Sequence, residues 1–116
     1  MRIAEVAEIL DARVLCCEAG LDKEVVSAFG ADMMSDVLAF MNEGTLLLTG
    51  LVNPHVIRTA EVLDLRCIVF VRGKPVPQDI MERAIEQDVV LLSTDKTLYT
   101  SCGMLYMAGL PGCIRR

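Results

Sequence analysis

The chain has 116 residues, 53% of them apolar, and carries a formal net charge of −5. Its mean hydropathy is +0.47 and its pI about 4.7. A chain of this length is expected to form one domain, 1–116, with a core of its own. An acidic chain with 4% aromatic residues and no Trp lacks the basic surface and stacking rings that nucleic-acid binding uses. Its longest apolar runs are too short to span a bilayer. No secretory signal is visible either, so a cytoplasmic location is expected, with no membrane or nucleic-acid partner.

In chain order, Ile3, Val6, Ala7 and Leu10 fall on one face of a short helix over residues 2–10. Val14–Cys17 and Val25–Phe29 read as strands, the second ended by Gly30. Asp32 suits the N-cap of a helix running to about Met41, with Met33, Met34, Val37, Leu38 and Met41 at helical spacing. Thr45–Thr49 is nearly continuous in apolar character, as in a strand covered on both faces. Asn53 and Pro54 suit the cap and first turn of a helix to Leu63, with Val56, Ile57, Ala60 and Leu63 inward. Cys67–Val71 is a second buried strand. Residues 78–87 form a helix with Ile80, Met81, Ala84 and Ile85 inward. Val89–Leu92 is a third buried strand. Ser93 or Thr94 caps a helix from about Lys96 towards Tyr106, and Gly109, Pro111 and Gly112 make a loose tail. Alternating strands and helices with short connections predict an α/β fold: a layered, largely parallel sheet with flanking helices.

In open sheets of this kind, ligands bind beyond the carboxyl ends of the strands. Four such ends are legible: Gly30-Ala31-Asp32, Thr49-Gly50 with Asn53, Arg72-Gly73-Lys74, and Ser93-Thr94. Each joins a strand to a helix start, where free backbone N–H groups favour an anion. Arg72 and Lys74 add positive charge, and Arg58 could pair with a carboxylate or hold a phosphate. Asp32, Thr49, Gly50, Asn53, Arg58, Arg72, Gly73, Lys74, Ser93 and Thr94 are therefore the candidate ligand-binding residues. The same residue types also serve turns and caps with no ligand present.

Catalytic motifs fail one by one. Gly44 to Gly50 imitates a phosphate loop, but Leu51 and Val52 stand where Lys and Ser/Thr should follow. No G-x-S-x-G elbow exists, and His55 is the one histidine available to a triad. Asp32 and Asp36, one turn apart, read as a solvated edge. The 5 cysteines, Cys16, Cys17, Cys67, Cys102 and Cys113, include no C-x-x-C pair. Neither a disulfide framework nor a metal site is implied, and no cofactor.

Thr45-Leu46-Leu47-Leu48-Thr49-Gly50, Val56-Ile57-Arg58-Thr59-Ala60-Glu61, Ile68-Val69-Phe70-Val71-Arg72-Gly73-Lys74-Pro75 and Leu91-Leu92-Ser93-Thr94 resemble, in order and spacing, a stand-alone DRTGG domain. The resemblance covers essentially the whole chain, including Gly30 to Phe40. It implies a fold like the N-terminal domain of HPr kinase/phosphorylase. It also implies a module like those inside some phosphotransacetylases and between CBS domains of certain pyrophosphatases, regulatory or dimer-forming and not catalytic. In this chain Leu51-Val52-Asn53 and Val71-Arg72-Gly73 replace parts of the charged, glycine-rich signature. The kinase activity of HPr kinase belongs to a separate phosphate-loop domain and does not carry over.

The expected function is a non-catalytic regulatory or interaction module, a homodimer that senses a nucleotide or phosphorylated metabolite, with a metabolic enzyme as partner. The two alternatives are a small phosphoryl- or acyl-transfer enzyme built around His55, Asp32 or Asp36, and a thiol-based redox sensor using Cys16–Cys17 or Cys102.

Overall fold

Three four- or five-residue runs with every side chain buried form the middle of the molecule: β3 (Thr45–Thr49), β4 (Cys67–Phe70) and β5 (Val90–Ser93). In the computed structural model, which describes residues 1–113, they belong to a five-stranded sheet. The outer strands are β1 (Arg13–Cys16) and β2 (Ser27–Gly30), and the order is β1-β5-β4-β3-β2. β2, β3, β4 and β5 are parallel, with Leu47 opposite Ile68 and Phe70 opposite Ser93. β1 runs antiparallel on β5. The fold is α/β with a mostly parallel sheet, as the strand patterning predicts.

The helices are α1 (Ile3–Leu10), α2 (Met34–Phe40), α3 (Pro54–Leu63), α4 (Gln78–Glu86) and α5 (Leu98–Met107). Alternation along the strands divides the core into two layers. Leu47, Ile68, Phe70 and Leu91 point to one face, against Val37 of α2, Val56 and Ile57 of α3, and Ile80 and Ala84 of α4. Leu46, Leu48, Val69, Val90 and Leu92 point to the other, against Ile3, Val6 and Leu10 of α1 and Leu105 of α5. The three crossover helices thus all lie on one face, and the parallel strands follow chain order from β2 to β5 without a reversal.

The structure departs from the local expectations at several points. Asp32 does not cap α2; Met33 holds that position, with φ −97° and no side-chain cap bond. Met33 and Leu38 are exposed, because α2 is a single short helix at the sheet's margin and buries Val37 there. Ile85 is 55% exposed on the outer side of α4. The cap of α5 is Thr97, whose hydroxyl accepts from Thr100 N; Ser93 and Thr94 lie upstream, at the end of β5. The segment after Gly109 is not loose. Ala28 N donates to Pro111 O and Cys113 N to Ala28 O, so the segment lies along the free edge of β2. Asn53 and Pro54 do begin α3 as expected, with Asn53 Oδ1 accepting from His55 N at 2.9 Å.

Candidate functional site

Because β2, β3, β4 and β5 are parallel, their carboxyl ends all emerge on one edge. The four sequence-predicted ends meet there as a hydrogen-bonded rim. Asp32 reaches back from the turn after β2: its Oδ1 accepts from Gly50 N at 2.7 Å and from Thr49 Oγ1 at 3.1 Å. Thr49 Oγ1 also accepts from Leu51 N at 3.1 Å. The next turn comes to the same place from the other side. Lys74 Nζ donates to Gly50 O at 2.6 Å, and Arg72 Nη2 lies 3.4 Å from that oxygen. A Cβ at Gly50 would meet the Arg72 guanidinium where it now lies, so a side chain there would push Arg72 aside.

Arg72 and Gly73 have φ of +66° and +62°, the paired left-handed conformation of a type I′ turn. That turn is pinned to the end of β5: Arg72 N donates to Lys96 O and Gly73 N to Thr94 O. A Cβ on Gly73 would sit 2.6 Å from Asp95 Oδ1. Thr94 itself points inward, its hydroxyl donating to Leu10 O at 2.8 Å in the core. Ser93 is buried, and its hydroxyl has no hydrogen-bond partner among the described residues.

Free backbone N–H groups at the strand ends were the expected anion cradle, and the structure spends them internally. The N–H groups of Ala31, Gly50, Leu51, Arg72 and Gly73 bond to Leu48 O, Asp32, Thr49 Oγ1, Lys96 O and Thr94 O. Nor does the strand order create the usual crevice. In doubly wound sheets the crevice opens where strand order reverses and neighbouring crossovers leave on opposite faces. Here the parallel strands run in sequence and their helices share a face. What the rim presents to an anion is side-chain charge. Among the described residues Arg58, Arg72, Lys74 and Lys96 form no ion pair. Arg72 and Lys74 instead rest on a neutral carbonyl.

Asp32, Thr49, Gly50, Arg72, Gly73, Lys74 and Thr94 are therefore brought together. Asn53 serves α3 as its cap. Arg58 is exposed one turn into α3, and its Nη1 lies 3.5 Å from His55 Nδ1, which is also exposed. It neither pairs with a carboxylate nor joins the rim bonds. Asp95 and Lys96 were missed as rim residues; their place directly after a strand-end Ser-Thr was the available signal. His55 faces Arg58 and hydrogen-bonds neither Asp32 nor Asp36. Among the described residues no group of three or more His, Cys, Asp or Glu side chains is placed to hold a metal ion.

Burial pushes the Cys16 thiol up to about 11 and raises Cys67 and Cys102 as well. A protonated thiol is a poor nucleophile. Since the folded state of Cys16 holds its proton more tightly than an unfolded thiol near 8.5, the sign of the linkage is fixed. Stability from this group is complete below about pH 8.5 and is lost as pH rises towards about 11. Thermal melts across that window should therefore fall more steeply for the wild-type chain than for Cys16→Ala.

Fold and rim together define an α/β module of sequentially wound parallel strands whose carboxyl ends are tied into one polar cluster. The DRTGG domain family matches residues 5–108, and the chain belongs to it. Among solved structures it is similar to the CBS and DRTGG domains of the regulatory region of Clostridium perfringens pyrophosphatase, a structure in complex with the activator diadenosine tetraphosphate. The TM-score is 0.72 at 16% identity, over 95% of this chain and 47% of that one. The chain thus spans about half the length of that relative. No curated protein sequence matches it. No helix among the described residues is long and apolar enough to cross a membrane.

Proposed function

We propose that this DRTGG domain is a non-catalytic regulatory module that binds a nucleotide or other phosphorylated metabolite at its strand-end rim and acts as a homodimer on a metabolic enzyme. The observation that carries the reading is the pair Arg72 and Lys74. Two cations converge on the Gly50 carbonyl, and among the described residues neither forms an ion pair with the carboxylates nearby. A phosphate oxygen is a stronger acceptor for both than a neutral carbonyl. The exchange needs only side-chain movement, because the turn beneath is held by Lys96 O and Thr94 O. The similar pyrophosphatase region, which carries an activator with phosphate groups, supports the ligand class. His55 is turned to Arg58, and the Asp32 carboxylate is engaged by Gly50 N and Thr49 Oγ1, which favours binding at the rim over a transfer reaction.

Thermal-shift titration with ATP, AMP, diadenosine tetraphosphate and inorganic phosphate tests the reading. A ligand at 100 times its Kd adds about 2.7 kcal/mol to the folded state. At least one of the nucleotides should raise the melting temperature, and the double variant Arg72→Ala/Lys74→Ala should abolish that rise. Unchanged melting with every compound overturns the proposal.

A further inference from the structure

We propose that the β2 end of the sheet is the docking face for a second copy of this chain, in contact through the outer side of α5. The inference rests on the homodimer reading above and assigns it a surface. Of the large apolar side chains that stand exposed, all but Val62 and Ile85 belong to α5, to α2 with its preceding residue, or to Val26 just ahead of β2. On α5, Tyr99 is 88% exposed, Tyr106 70% and Met107 89%. They border a groove of about 670 Å³ between α5 and residues 110–113, whose lining also includes Phe29 and Leu110. Phe29 in turn stacks on Phe40 of α2, with ring centroids 6.3 Å apart, so the apolar band continues around the edge.

Charge selects the occupant. Residues 97–113 and 25–31 contain no charged side chain, whereas the opposite end of the sheet carries Arg2, Glu5, Glu8, Asp11 and Arg13 on and around α1 and β1. Two copies at −5 each repel over most of their surfaces. Along α5 and the residues 97–113 and 25–31 they meet without like-charge contact, with the exposed Asp36 of α2 at the border, and so uncharged a stretch gives a different partner little ion-pair address. A two-fold contact requires one patch to complement itself, and an apolar helix beside an apolar groove does so. The area is sufficient. A standard interface hides about 800 Å² per partner, an eighth or so of this chain's 6159 Å². Tyr99 and Tyr106 alone expose on the order of 300 Å² of it. The contact runs through side chains and not strand addition, since residues 111–113 already occupy the outer edge of β2.

Light scattering on the full chain reads the assembly, and tyrosine emission reads the surface. The chain has 2 Tyr and no Trp, and both tyrosines lie on α5, so the intrinsic signal comes from this face. The wild-type chain should show twice its 12.7 kDa mass, and acrylamide quenching of its tyrosines should increase on dilution as they are uncovered. Tyr106→Glu should be monomeric with an unchanged circular dichroism spectrum, and Ile85→Glu, on the exposed side of α4, should remain dimeric. A wild-type monomer at every concentration overturns the homodimer reading and this face together, as does a monomer that takes up an apolar dye in the groove. A dimer that survives Tyr106→Glu, or one whose tyrosine quenching ignores dilution, overturns the face alone.

Discussion

Phe70→Ala is expected to lower the free energy of unfolding by about 3–5 kcal/mol, the range for a large aromatic side chain lost from a core. Phe70 has 0% exposure and ends β4, the middle strand, between Thr49 and Ser93 in register. Its ring closes the layer formed with the crossover helices. Domains of this size are stable by about 5–15 kcal/mol in all, so the variant falls close to the limit of folding. Urea unfolding checks it: the midpoint should drop sharply with the slope unchanged. Phe70→Leu, which keeps most of the volume, should lose roughly 1.5 kcal/mol or less. A loss under about 1 kcal/mol for the alanine variant would contradict the packing. The position also joins fold to site, because the rim turn at Arg72 and Gly73 begins two residues further on.

Much of this architecture can be read from the chain because its strands are buried on both faces. Leu46-Leu47-Leu48 and Cys67-Ile68-Val69-Phe70 have no polar alternation to confuse with a half-exposed strand, and the helices between them keep clear 3.6-residue stripes. The misreadings share a cause. Strand-end polar residues read as caps of their nearest helix, whereas their partners lie far along the chain. Asp32 looked like the cap of α2, yet its carboxylate serves Gly50, 18 residues on. Local spacing also cannot say which side of a helix is covered. Leu38 and Ile85 fit the apolar stripes and still face outward, since burial depends on neighbours that the sequence does not show. The rim is legible in its glycines and its basic pair. That its backbone donors would be consumed internally depended on three turns converging, and nothing local to any one of them reveals it.

Thr94 gives the sharpest instance and the second large effect. Its hydroxyl is buried and donates to Leu10 O, one of the carbonyls that the end of α1 leaves without a helical partner. Thr94 Oγ1 also accepts from Lys96 N at 3.4 Å, and the Thr94 carbonyl accepts from Gly73 N. One residue thus fastens the end of α1, the exit of β5 and the turn that carries Arg72. Thr94→Val keeps the shape and removes the hydroxyl, so Leu10 O stays buried with no replacement from water. A buried polar group left unpaired costs about 1–3 kcal/mol, and that loss is the expected drop in stability, measured by chemical denaturation. Thr94→Ser restores the donor and should recover most of it. Amide exchange should locate the damage, with the protons of Arg72 and Gly73 exchanging faster in the valine variant than in the wild-type chain. Equal stability of the two would mean that the α1–β5 tie contributes nothing. Faster exchange at the rim in the valine variant alone would show that the cations there are held in place from the opposite layer of the core.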